Sequence, residues 1–103
     1  MVKHINESNF LKETNLNGVV LVDFFATWCP PCKMLAPILE DISNSRKYKI
    51  VKINIDENPN IANKFKIETV PTLIIFKDGK PVEKSIGYMD RNEVISLMDK
   101  HFE

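Results

Sequence analysis

"VVLVDFFATWCPPCKMLAP", residues 19–37, joins two patterns that belong to different secondary structures. VVLVDFFA is a near-continuous apolar run rich in Val and Phe, as in a strand buried on both faces. From Pro31 the period changes to that of a helix, with Met34, Leu35, Ile38, Leu39 and Ile42 on one stripe. Pro37 falls inside that helix, where a missing donor and a crowded preceding turn kink the backbone. Between the two patterns stand Cys29 and Cys32, the only cysteines in the chain, separated by Pro30 and Pro31.

Outward from this segment the pattern continues. VKHI, before it, reads as a short first strand, and NESNFLKETN as a short helix carrying Phe10 and Leu11, stopped by the Asn17-Gly18 turn signal. After it, KIVKINID alternates, with Val51, Ile53 and Ile55 on one face and Lys52, Asn54 and Asp56 on the other. NPNIANKF offers Asn58 as a cap, Pro59 at the first helical position, and Ile61, Ala62 and Phe65 inward. TLIIF is a buried strand that KDGK turns back into PVEKSIG as a hairpin. A last helix begins near Asp90 with Glu93 three residues on, a capping box, and buries Val94, Ile95, Met98 and Phe102. The methionines fall mainly on helical stripes and are expected in the core. The order β-α-β-α-β-α-β-β-α predicts an α/β fold with a central mixed sheet, parallel first and antiparallel at the end, flanked by helices.

The 103 residues suffice for one domain spanning 1–103, and a 44% hydrophobic fraction fills its core without disulfides. Fourteen Lys and Arg balance 14 Asp and Glu, which leaves no electrostatic footprint for nucleic acid or an anionic membrane. MVKHINESNF has no apolar signal segment and no run approaches a membrane span, so a cytoplasmic, monomeric protein is expected.

Three readings compete for Cys29 and Cys32. A zinc site lacks ligands, because there is no second cysteine pair and His4 and His101 lie at opposite chain ends. A structural disulfide would close a loop too short to restrain much unfolded-chain entropy. A redox dithiol fits best: the strand delivers Cys29 to a helix start, where the dipole favours thiolate, and Cys32 follows one turn inward. Asp23, inside the apolar strand, faces a desolvation cost and must find a partner, a water or a proton.

The chain resembles the thioredoxin family over essentially its whole length. The resemblance rests on VDFFATWC, the CxxCKMLAP helix, VKINIDENP, VPTLIIFKDGK and IGYMDR. It implies the thioredoxin fold and a disulfide reductase in which Cys29 attacks a client disulfide and Cys32 resolves the mixed disulfide. It further implies that Asp23 accepts the Cys32 proton, with its pKa raised by burial, and that Lys52 approaches Asp23 and tunes that transfer. Trp28 would cover the disulfide, and Pro71 would follow a cis Val70-Pro71 bond packed against the cysteines. Trp28, Ile55, Val70, Pro71, Ile86 and Gly87 would form the surface on which clients dock.

No bound cofactor is implied; electrons would come from NADPH through a flavin-containing thioredoxin reductase. Ribonucleotide reductase, peroxiredoxin and methionine sulfoxide reductase are the client types suggested. The family's common spacer is Gly-Pro, and here it is Pro30-Pro31; Phe25 stands where many members carry Trp, and Thr69 where some carry Gly. A residue before proline is pushed from the helical region, so Pro30 is expected to stay extended and to lack a donor for the Cys29 sulfur. A thiol oxidase or disulfide isomerase on the same fold, a non-catalytic binding subunit, and a metal site bridging two copies are the rival functions.

Overall fold

The computed structural model describes residues 1–46 and 48–102. Among the described residues the elements come in the expected order: β1 (Lys3–Ile5), α1 (Phe10–Thr14), β2 (Val19–Phe25), α2 (Pro30–Arg46), β3 (Lys49–Asn54), α3 (Pro59–Lys64), β4 (Thr72–Lys77), β5 (Lys80–Ile86) and α4 (Arg91–Asp99). The strands form one sheet in the order β1-β3-β2-β4-β5. β1 and β2 run parallel to β3, whereas β4 and β5 are antiparallel to their neighbours.

Apolar residues on both faces of β2 explain its central place. Val19 and Leu21 join Leu35, Leu39 and Ile42 of α2 and Val94, Ile95 and Met98 of α4 in one core layer. Val20, Val22 and Phe24 point the other way, into a layer with Phe10, Val51, Ile53, Ile74 and Phe76, against which Ile61 and Phe65 pack. Alternation along β2 then puts Asp23 and Phe25 on the face of Val19 and Leu21, the face that α2 covers.

Tight turns and caps fix the ends of the elements. Lys77 pairs with Lys80 across a two-residue turn whose Asp78 and Gly79 both have positive φ, 51° and 84°, the conformation an Asp-Gly hairpin adopts. The Asp90 side chain accepts from the Glu93 N–H at 2.8 Å while the Glu93 carboxylate accepts from the Asp90 N–H at 3.0 Å, completing the capping box. Buried Glu13 in α1 binds Lys3 of β1 at 2.6 Å and Lys49 of β3 at 2.9 Å, tying one helix to two strands. These two lysines hold its carboxyl well below the usual range, at about 2.

Several expectations are corrected. Pro30 is the first residue of α2, not an extended residue before it. The Lys33 N–H donates to the Cys29 carbonyl at 3.2 Å and closes a turn that needs no donor from residue 30 or 31. Met34 and Met1 are exposed, and among the methionines only Met98 is fully buried, with Met89 packed partly against the core. Phe102 lies beyond α4, half exposed and stacked on Tyr48. α1 ends at Thr14, short of the Asn17-Gly18 pair. Asn58 occupies the N-cap of α3 but makes no capping bond; its amide instead accepts from the Glu7 N–H and donates to the Asn54 carbonyl.

Candidate functional site

Cys29 sits where β2 has ended and α2 begins, so its sulfur lies at the positive end of a 17-residue helix. Cys29 and Cys32 are joined by a disulfide across the first turn, with their Cα atoms 5.3 Å apart. The Cys32 N–H donates to Cys29 Sγ at 3.2 Å. This is a first-turn donor that neither proline removes, and the spacer residues by themselves give no sign of it. Both cysteines are buried, Cys29 at 2% and Cys32 at 4% exposure, beneath Ala26, Phe25, Ile55 and Val70.

The two residues nevertheless adjoin different surroundings. Cys29 Sγ lies 3.5 Å from the Val70 carbonyl oxygen. The Val70-Pro71 bond is cis, as the resemblance implied. The Pro71 carbonyl accepts from the Gly87 N–H at 2.8 Å, and Ile86 pairs with Thr72, so the start of β4 and the end of β5 are held together here. Ile55 is half-buried here, and its backbone N–H donates to the Phe25 carbonyl at 2.9 Å. Trp28 and Ile86 stand out at 64% and 62% exposure, large apolar groups in water beside a buried disulfide. The Trp28 indole N–H donates to Asp56 at 2.8 Å, a partner that sequence reasoning left among the polar positions of a strand.

Cys32 instead lines an open cleft of about 260 Å³ with Phe25, Thr27, Lys33, Ala36 and Lys52. Lys33 is exposed at its wall. Asp23 lies in β2 with zero exposure, and neither carboxylate oxygen has a hydrogen-bond partner among the described residues. Burial raises its pKa to about 7, and the Lys52 ammonium opposes the rise without cancelling it. Lys52 is the register partner of Asp23 across the β2–β3 pair, and its ammonium stands over the Phe25 ring, 4.4 Å from the centroid. The structure therefore brings Cys29, Cys32, Trp28, Val70, Pro71, Ile55, Ile86 and Gly87 to one end of the sheet, and Asp23 and Lys52 to adjacent strands under α2. Among the described residues no group of three or more His, Cys, Asp and Glu is placed to hold a metal ion, and no helix is long and apolar enough to cross a membrane.

Comparison with known proteins adds independent support. The thioredoxin family model matches residues 1–100. A thioredoxin of Staphylococcus haemolyticus is 48% identical over 99 residues, covering 94% of each chain. One of Chlamydia muridarum is 46% identical over 102 residues, 98% of this chain and 99% of its own. Among solved structures, a mutant thioredoxin from Halobacterium salinarum superposes with a TM-score of 0.92 at 34% identity, covering 98% of this chain and 90% of that one. Sequence, fold and a disulfide at the mouth of α2 agree: the chain belongs to the thioredoxin family and is a thiol-disulfide oxidoreductase whose redox centre is the Cys29–Cys32 pair.

Proposed function

We propose that the chain works as a single-domain dithiol carrier in which Cys29 is the nucleophile, Cys32 the resolving thiol and Asp23 the proton acceptor. The Cys29 thiolate attacks one sulfur of a client disulfide; a mixed disulfide forms, and the second client sulfur leaves as a thiolate that takes a proton. Asp23 receives the Cys32 proton, through water in the cleft, and the Cys32 thiolate attacks Cys29. The mixed disulfide breaks, the client leaves as a dithiol, and the Cys29–Cys32 bond holds the two-electron oxidation. Charge at Cys29 is favoured by the helix terminus and the Cys32 N–H. The observation that carries this reading is the division of the two cysteines: Cys29 against the Val70 carbonyl, Cys32 in a cleft with Lys52.

Trp28, Ile55, Val70, Pro71, Ile86 and Gly87 form the docking surface, where an extended client segment pairs with the backbone at Val70. Family membership implies reduction by a thioredoxin reductase and clients that carry disulfides. We assign the finer parts to NADPH and a flavin on the reductase side. On the client side we assign ribonucleotide reductase, peroxiredoxin and methionine sulfoxide reductase. The reading assigns the protein to a reducing compartment, the cytoplasm, and makes it active as a monomer.

Trapping tests the order of events. Cys32→Ser, incubated with a disulfide-bonded client, accumulates a covalent adduct at Cys29 that a reductant releases. Cys29→Ser yields none. An adduct at Cys32 in the latter variant that forms faster than that of the former reverses the assignment.

A further inference from the structure

The ring of Phe25 makes two contacts that the reaction as described does not use. The Lys52 ammonium lies 4.4 Å from its centroid. The His4 ring meets it edge-on, with centroids 5.9 Å apart and planes at 84°. Three strands create this arrangement, because Lys52 is in register with His4 on β1 and with Asp23 on β2. Phe25 is two residues beyond Asp23 and so on the same face of the sheet. The ammonium therefore has two competing destinations: the aromatic face and the carboxylate.

The observed choice is the ring. Both Asp23 oxygens lack a hydrogen-bond partner among the described residues, although the cation that would satisfy them is on the next strand. The energies make such a choice sensitive to one side chain. A cation over an aromatic face is worth about 0.5–1 kcal/mol when exposed and about 2 when desolvated. A buried ion pair gains Coulombic energy but loses several kcal/mol per ion to desolvation. The ring contact is the one the structure shows, and a move onto the carboxylate would have to outweigh both its loss and the desolvation of the ammonium.

We propose that Phe25 is a positioning residue, whose ring holds the Lys52 ammonium in the cleft beside Cys32 and off the Asp23 carboxylate, keeping that carboxylate basic enough to take the Cys32 proton. The proposal rests on the reading of Asp23 as proton acceptor. The groups that face Asp23 or the cleft are Lys52 from β3, Lys33 and the Cys32 sulfur from α2, and His4 from β1 beyond the Phe25 ring; β4 contributes apolar Leu73 as register partner. Lys52 is the cation that pulls the Asp23 pKa downward, so its closer approach lowers that pKa.

The test is the titration of Asp23 followed by its carboxyl carbon signal in the oxidised protein, where neither cysteine titrates. Phe25→Leu releases the ammonium onto the carboxylate and lowers the midpoint by at least about one pH unit, the lower end of what an adjacent opposite charge produces. Phe25→Trp keeps an aromatic face and keeps the wild-type midpoint. In a Lys52→Met background, Phe25→Leu leaves the midpoint unmoved. An unmoved midpoint in Phe25→Leu alone overturns the proposal, and so does an equal fall with and without Lys52, which would make water entry the cause. The underlying reading has its own readout: Asp23→Asn removes the matching limb from the pH profile of client reduction. If that limb persists, Asp23 is not the acceptor, whatever the Phe25 variants do.

Discussion

Asp23 and Lys52 are register partners on adjacent parallel strands, and yet the carboxylate accepts no hydrogen bond among the described residues. A carboxyl group buried in this way is held near neutrality by desolvation, with its pKa raised from 3.8 to about 7. The folded state therefore keeps a proton that the unfolded chain has released between those two values. The contribution of Asp23 to stability falls as pH rises through that window and is flat on either side.

Asp23→Asn exposes this directly. Each pH unit of displacement is worth about 1.4 kcal/mol, so removing the titration makes the variant more stable than wild type above pH 7 by up to about 4 kcal/mol. The advantage shrinks to nothing near pH 4. Urea unfolding of both oxidised proteins between pH 4 and pH 8 measures it, and parallel curves would mean that Asp23 is ionised throughout.

Glu13 gives the opposite sign. Lys3 and Lys49 lower its pKa from 4.5 to about 2, so its contribution is complete above 4.5 and disappears as pH falls toward 2. Glu13→Gln is less stable than wild type at neutral pH, and the two proteins converge in acid. A difference that persists unchanged to pH 2 would assign the loss to packing instead of charge.

Trp28 is the single tryptophan of the chain, which makes its tether to Asp56 measurable without labels. Asp56→Ala lowers the fluorescence anisotropy of Trp28 and slows client reduction. Global stability changes by less than about 1 kcal/mol, because the lost bond is exposed. Unchanged anisotropy would show that packing alone holds the indole.

Pro30→Gly addresses the spacer. The Cys32 N–H that faces Cys29 Sγ survives the substitution, and the new residue adds a donor to the first turn. Titration of the thiolate absorbance then gives a Cys29 pKa equal to or below that of wild type. The wild-type reduction potential falls near about −270 mV, and a value toward about −120 mV would make the protein an oxidant. A higher pKa in the glycine variant would mean that the two prolines themselves stabilise the thiolate.

The features legible in the sequence are those encoded locally. β2 and α2 announce themselves through a change of period, and the capping box of α4 through two residues three apart. The cysteines and Pro71 are carried by motifs. Met34 departs from expectation because it flanks the Leu35–Leu39–Ile42 stripe, where one helical step separates core from water. Pro30 departs from it because the pre-proline bias acts on a single residue, whereas the Cys29–Lys33 bond engages the whole turn. Asn58 has the residue type of a cap, but its amide is claimed by Glu7, 51 positions away. The contacts of Phe25 with Lys52 and His4 depend on the register of three strands, which no single segment specifies.

Cys29 abuts the Val70 backbone, while Cys32 lines a separate cleft. In the proposed reaction, a client seated along Val70 covers the first sulfur. It leaves the cleft open to bulk solvent, so proton exchange at Cys32 continues while the client is bound. On the proposed reading, electrons pass at the docking surface and protons pass through the cleft.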